Sequence, residues 1–263
     1  MYLWFHELIT CTKIKILLIN ETKGKDGLFY LLGIDDTDSV ETFQTTDLTF
    51  NLGRHLEEQG LAKMIHLSCH HLYCDGSPDE NTPTSTASCL TLEANPVNQR
   101  ELDLVCREVL LRDSAPGSNA GYVLASWQQF DHEIVLWGKS AKTKCLKRQD
   151  ALQIARRCGL GAAGILGSGI GVIGALAAVG LRFDGNDGWI YWMPGLHDLK
   201  GIYTQVQLTQ FIHFDKIESQ RHSHPAFDDR ILFDKPAKPL LVEGKVLLPV
   251  KAVRNNEEYH WIA

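Results

Sequence analysis

The sequence predicts a mixed α/β fold of the α+β kind: a ferredoxin-like βαββαβ unit combined with a second, small α/β domain. Three observations predict it. Residues 28–127 read β-α-β-β-α-β in their hydrophobic periodicity, which is the order of the split βαβ unit. The chain has 263 residues, enough for one large domain or two small ones. It is 44% hydrophobic and 22% charged, an ordinary globular composition able to fill a core.

The elements follow in order. Residues 1–27 form an extension whose apolar part, 8–20, is interrupted by Lys13 and Lys15. It has neither a basic start nor a small-residue cleavage site, so it reads as an added strand or a loosely held segment rather than a signal peptide. The apolar run 28–34 is a buried strand. Residues 45–59 carry Leu48, Leu52 and Leu56 at helical spacing and end at Gly60. Residues 62–70 are a strand, 74–83 a polar loop, 85–94 a strand. Residues 98–112 are a helix with Leu102, Val105, Val109 and Leu110 on one side, and 121–127 a strand. Beyond this unit, 133–138 reads as a short strand, 148–158 as a helix and 189–193 as a strand. Residues 239–243 and 246–250 flank Gly244 as a hairpin. The expected division is an extension over 1–27, the βαββαβ unit over 28–127, a glycine-rich-loop domain over 128–215 and a hairpin tail over 216–263.

The strand at 28–34 runs directly into Gly33-Ile34-Asp35-Asp36-Thr37-Asp38-Ser39. Three aspartates in four positions repel one another, and such crowding is relieved by a hard divalent cation or a metal-bound polyphosphate. A strand that ends in acids delivers them to the carboxyl edge of a sheet, where open α/β folds bind ligands. The competing reading is a turn or helix cap rich in Asp and Ser.

Residues 159–181 hold no charge and eight glycines. That glycine content costs about 1 kcal/mol per residue in a helix and argues against a membrane span. The string Gly169-Ile170-Gly171-Val172-Ile173-Gly174 matches the dinucleotide fingerprint in letters only. The segment before it reads as helix, and Asp184 falls short of the usual acidic position, so an NAD-linked oxidoreductase rests on the string alone. Two further readings stay open. Gly169, Gly171 and Gly174 cradle phosphate at the start of a helix, or a small-residue helix packs its backbone closely on a sheet.

Seven cysteines with no CxxC pair point to a reducing, cytoplasmic setting. Cys69, His70, His71 and Cys74 with His66 are the one zinc-like spacing. Strand alternation puts Cys69 and His71 on one face and His70 on the other, which opposes a shared ion. His222 and His224 read as solvated loop residues. The net charge of −6 opposes nonspecific nucleic-acid binding. The local basic run Lys139, Lys142, Lys144, Lys147, Arg148, Arg156 and Arg157 reads as a solvated helix face.

Gly33 to Ser39, Thr45-Thr46 and Ile173-Gly174-Ala175-Leu176-Ala177-Ala178-Val179-Gly180 together resemble the archaeal tRNA-isoleucine agmatinylcytidine synthetase family. The resemblance covers roughly residues 28–200 and implies the family's kinase-like and ferredoxin-like domains. It implies ATP as the activating substrate, Mg²⁺ held by Asp35, Asp36 and Asp38, and a cytidine carbonyl activated by phosphorylation, from which the amine of agmatine displaces the phosphate. Thr37, Ser39, Thr45 and Thr46 would contact phosphate or be phosphorylated. Asn119 and Gly121, in Ser118-Asn119-Ala120-Gly121, resemble a further segment loosely and are substrate-binding candidates. The sequence departs from the family in three places. Glu41-Thr42-Phe43-Gln44 replaces a cysteine-and-glycine segment. The acidic 75–82 replaces a basic Gly-Asn loop, with Asn81 a relic. The chain stops where OB-fold and zinc-ribbon domains would begin. The expectation is therefore an ATP- and Mg²⁺-dependent phosphoryl-transfer or ligase-type enzyme acting on a small amine or nucleoside-type substrate, with tRNA not favoured and no membrane partner. The alternative is a nucleotide- or polyamine-binding module without turnover.

Overall fold

The computed structural model describes residues 28–38, 45–73, 85–219, 223–253 and 258–263. The extension 1–27 with Cys11, Ser39, residues 41–44, Cys74, the loop 75–82 with Asn81, and His222 lie outside the described residues.

The chain builds β1 (Leu28–Asp35), α1 (Thr45–Glu58), β2 (Lys63–Leu72), β3 (Ser85–Ala94), α2 (Gln99–Asp113) and β4 (Gly121–Ser126). The strands lie in the order β4-β1-β3-β2 with antiparallel neighbours, the ferredoxin-like arrangement. Alternation along β1 divides its side chains between two cores. Tyr30, Leu32 and Ile34 pack with Leu48, Leu52 and Leu56 of α1 and Leu102, Cys106 and Leu110 of α2. Leu31 joins the opposite core.

That second core is covered by α3 (His132–Ala141), α4 (Arg148–Arg157) and α5 (Val172–Asp184). The sheet also grows at both edges, as β5 (Gly161–Gly164) pairs with β4 and β6 (Trp189–Trp192) with β2, each antiparallel. One expectation is overturned here: residues 133–138 are not a strand but the body of α3. Asp131 caps this helix by accepting from the Glu133 N–H at 2.7 Å, and Ile134, Val135, Trp137, Gly138 and Ala141 are its buried side. The run Ile134-Val135-Leu136-Trp137 has strand-forming composition, but packing against α5 decides the outcome. A Cβ on Gly138 would meet Ala177 O at 2.9 Å, and one on Gly180 would meet Ile134 O at 2.1 Å, so the two helices touch backbone to backbone.

A strand does precede the glycine string, contrary to the helical reading, yet the dinucleotide unit is absent. Chained antiparallel pairings make β5 parallel to β1 and β6 antiparallel to it, with four strands between them. A dinucleotide site needs two neighbouring parallel strands joined by the helix. The oxidoreductase expectation is set aside on this topology.

The remaining strands are β7 (Gly201–Thr204), β8 (Lys216–Ser219), β9 (Arg230–Phe233), β10 (Leu240–Val242), β11 (Lys245–Ala252) and β12 (Trp261–Ile262), with a short α6 (Gln205–Leu208). The expected hairpin is β10–β11, and Val242 pairs with Lys245 across Glu243 and Gly244, both at positive φ (52° and 73°). A third core of Ile190, Leu208, Ile231, Leu248 and Trp261 holds these strands together. Among the described residues no helix is long and apolar enough to cross a membrane.

Candidate functional site

Asp35 is the last residue of β1, and alternation turns it toward α5. The first turn of α5 approaches it so closely that a Cβ on Gly174 would stand 1.9 Å from Asp35 Oδ2. A Cβ on Gly171 would meet Asp35 O at 2.4 Å, and one on Gly121 would meet Val172 N at 2.1 Å. These glycines form the seam along which the helix start sits on the ends of β1 and β4. Gly169 (φ 64°) closes the turn before the helix, its N–H donating to Leu166 O at 2.8 Å.

Asn119 ties the acidic cluster to that turn. Its Oδ1 accepts from Ser168 N at 3.0 Å and from Ser168 Oγ at 2.8 Å. Its carbonyl accepts from Gly171 N at 3.0 Å. Its backbone and side-chain N–H groups donate to the Asp36 carboxylate. Asp36 is held at φ 57°, a left-handed conformation that Asp tolerates better than most residues. Burial raises the Asp36 carboxyl, the bonds from Asn119 oppose this, and Asp38 adds to it. Asp35 is pushed further, up to about 7, by burial first and then by the charges of Asp36 and Asp38, against a hydrogen bond from the Asp36 backbone.

The start of α1 supplies hydroxyls from the other side. Thr45 Oγ1 donates to Asp38 Oδ1 at 3.1 Å and accepts from Thr37 N (3.3 Å) and Thr37 Oγ1 (3.2 Å). Thr46 Oγ1 lies 3.1 Å from Ser88 Oγ and 3.5 Å from Cys69 Sγ. Two helix N-termini, each with partial positive charge, thus converge on the three carboxylates.

Together these groups line one side of a cleft of about 880 Å³. Asp35, Asp36, Asp38, Thr45, Thr46, Gly171 and Gly174 all face it. Gly121 and Asn119 lie behind this lining and shape it, and Gly169 sits in the turn just before Ile170, which faces the cleft. Among the described residues no three His, Cys, Asp or Glu side chains are arranged to hold a metal ion by themselves. Cys69 and His71 face the cleft, while His70 points into the opposite core, in line with strand alternation.

The far wall carries residues that the sequence reading did not assign to this site: Trp189, Tyr191 and Lys238, together with His71, read there only in a zinc-like spacing, and Lys144, read there only as part of a solvated helix face. The His71 and Trp189 rings meet at a tilt of 45° with centroids 4.6 Å apart, and Tyr191 OH donates to Asp47 Oδ1 at 2.7 Å. The one available signal was the i, i+2 spacing of Trp189 and Tyr191, which places both rings on one strand face. The basic run read as a helix face divides in the structure. Lys139 pairs with Asp184 (2.8 Å), Lys142 with Asp187 (2.6 Å) and Arg157 with Glu133, whereas Lys144 faces the cleft. Arg148 Nε comes within 3.4 Å of where a Cβ on Gly169 would lie.

Behind this wall Ser68 Oγ, His70 and Asp187 form a chain, His70 Nε2 to Ser68 Oγ at 3.0 Å and Nδ1 to Asp187 Oδ1 at 3.0 Å. The order is that of a hydrolase triad, but Ser68 and His70 have no exposed surface, so no substrate reaches the hydroxyl. The chain instead anchors the turn that leads into Trp189.

No family model matches the chain. It is 30% identical over 151 residues to an uncharacterised protein of Methanocaldococcus jannaschii, a stretch that is 57% of this chain and 49% of the relative. Solved structures of TiaS, an agmatidine synthetase acting on an isoleucine tRNA, align with a TM-score of 0.50 and 26% identity. They cover 58% of this chain and 36% of TiaS in its complexes with tRNA, AMPCPP and agmatine and with tRNA and ATP, and 35% of apo TiaS. The chain thus spans about half the length of the curated relative it matches and about a third of TiaS. Over that stretch the fold is TiaS-like, with the same mixed α/β character that the sequence predicts.

Proposed function

We propose that this protein is an ATP- and Mg²⁺-dependent enzyme of the phosphoryl-transfer or ligase type. The observation that carries the reading is the meeting of Asp35, Asp36 and Asp38 with the starts of α1 and α5 in one cleft. Carboxylate oxygens suit Mg²⁺, which is commonly held by one or two carboxylates plus substrate phosphates rather than by a closed protein cage. Asp35, Asp36 and Asp38 would hold it, and the ion would neutralise charge on the transferring phosphoryl group. The elevated Asp35 also fits, because a cation beside it restores the ionised form that burial opposes.

The chain's own groups do the remaining work. The partial positive charge at the start of α5 faces the phosphates, with Arg148 as counter-charge. The Gly169, Gly171, Val172 and Ile173 N–H groups are taken up within the turn by Leu166 O, Asn119 O, Gly169 O and Ile170 O. Thr37, Thr45 and Thr46 offer hydroxyls. Asn119 holds Asp36 and the turn at Ser168 in register. The reading draws further support from TiaS, whose aligned fold has been solved with ATP and with AMPCPP.

For the acceptor, the His71, Trp189 and Tyr191 rings suit a planar nucleoside-type group. TiaS has also been solved with agmatine, and an agmatine-like amine would be held at the acidic side of the cleft. Lys144 and Lys238 at the far side favour an acceptor that carries negative charge there.

The test measures nucleotide binding and turnover separately. Mg·ATP should raise the melting temperature, and ADP release should depend on an added nucleoside, nucleotide or amine. Asp35→Ala and Asp38→Ala should abolish the Mg²⁺-dependent part of binding. Unchanged Mg·ATP affinity in both variants would refute the metal assignment. Binding without product release across the acceptor panel would instead support a nucleotide- or polyamine-binding module.

A further inference from the structure

The outer face of α2 carries a feature that neither core nor cleft uses. Of the exposed large apolar side chains among the described residues, Leu104 (55% exposed) and Leu111 (61%) lie seven residues apart on α2, and Val97 (85%) lies seven residues before Leu104 in the 3₁₀ turn that leads into the helix. Two turns apart, Leu104 and Leu111 form one stripe about 10 Å long, opposite the buried Leu102, Cys106, Val109 and Leu110, with Val97 exposed just before the helix. Scattered exposed leucines are ordinary; a straight stripe on a helix apex, flanked by ordered charge, is a pattern.

The charges are sorted by side. At 100° per residue, Arg100 and Arg107 fall on one edge of the stripe and Glu101 and Glu108 on the other. Arg107 is tied to Asp103 at 2.9 Å and still leaves 44% of its side chain exposed. All four flanking residues are exposed.

This sorting selects one occupant and one orientation. Two copies of α2 placed face to face and related by a two-fold axis perpendicular to them run antiparallel, and then Arg edge meets Arg edge. A two-fold axis along the helices makes them run parallel, and each Arg edge meets the Glu edge of the other copy. We infer that the α2 face is a self-association surface on which a second copy of this chain docks in parallel. Leu104 would meet its counterpart, with Arg100 beside Glu101 and Arg107 beside Glu108 across the interface. Such an isologous contact repeats every pair twice, so each complementary charge counts double. The association does not depend on the nucleotide reading of the cleft.

Sedimentation velocity from micromolar to near-millimolar concentration tests it. The wild type should move from 29.5 kDa toward twice that mass, and added salt should shift the transition to higher concentration. Leu104→Glu with Leu111→Glu should remain at 29.5 kDa over the whole range with an unaltered thermal melt. Arg100→Glu alone, which puts two acids side by side across the contact, should weaken association severalfold. Adding Glu101→Arg, which exchanges the charges of that in-register pair, should restore it. A wild type that stays monomeric throughout overturns the inference, as does dimerisation unaffected by the leucine changes or an exchange variant that fails to recover.

Discussion

Gly33→Ala tests the claim that the glycine at the head of the acidic motif serves packing. The new Cβ would lie 2.1 Å from Ala175 O and 2.9 Å from both Ala175 C and Val179 Cγ2. Ordinary contact begins near 3.4 Å, so α5 would have to retreat by about 1.3 Å, and its backbone has no rotamer with which to yield. Ala175, Leu176, Val179 and their neighbours are fully buried beneath that helix, and a gap of about 1 Å forfeits up to about half of each contact's attraction. Overpacking of this kind costs about 3 kcal/mol, offset by about 0.5 to 1 kcal/mol because alanine suits a strand better than glycine. A net loss of about 2 to 2.5 kcal/mol corresponds to a melting temperature lower by roughly 4–10 °C for a chain of this size. Gly60→Ala is the control: its φ is +67° but nothing lies within 4 Å, so only the left-handed backbone penalty of about 1 kcal/mol remains. Equilibrium urea unfolding of both variants decides the matter. A Gly33→Ala variant no less stable than Gly60→Ala would refute the close approach of α5 to β1.

Gly174→Ala meets a carboxylate rather than backbone, so the chain should fold while Asp35 is displaced, and the Mg·ATP-induced rise in melting temperature should disappear; a full rise would contradict the placement. Asp35→Asn separates the effect of ionisation. The folded chain keeps the Asp35 proton up to about pH 7, whereas the unfolded chain releases it near 3.8. Its contribution is therefore fully present below pH 3.8 and is lost as pH rises through 7, at about 1.4 kcal/mol per pH unit. In metal-free buffer the wild type should lose up to about 4 kcal/mol relative to Asp35→Asn between about pH 4 and pH 8, and parallel pH profiles would count against it. Asn119→Ala removes a side-chain donor from Asp36 and the acceptor for Ser168, and should weaken Mg·ATP binding roughly tenfold, as expected for hydrogen bonds to a charged group; calorimetric titration showing equal affinity would remove Asn119 from the site.

Much of residues 28–127 was legible, among those described, because period-two and helical spacing report which side chains face a core. Leu48, Leu52 and Leu56 mark α1, and the apolar run before Asp35 marks β1. The same reasoning failed at α3, where Ile134 to Trp137 read as strand. Burial of that helix against the backbone of α5 at Gly138 and Gly180 lies far away in sequence and leaves no local periodicity. The acidic side of the site was legible as a crowd of like charges. The far wall was not, since His71, Lys144, Trp189 and Lys238 come from four separate segments and carry no shared spacing.

The chain of residues by itself determined that a buried strand runs into the crowded carboxylates Asp35, Asp36 and Asp38, because apolar patterning and charge crowding are local properties. Only the tertiary structure decided what those carboxylates face. It brought the starts of α1 and α5 onto them, gave Asn119 its place beneath Asp36, and turned the glycine string from a dinucleotide motif into a helix seam. Strand direction and backbone-to-backbone distance govern those outcomes. Both arise from pairings between segments up to about 140 residues apart, such as Gly33 with Ala175, which no window of sequence contains.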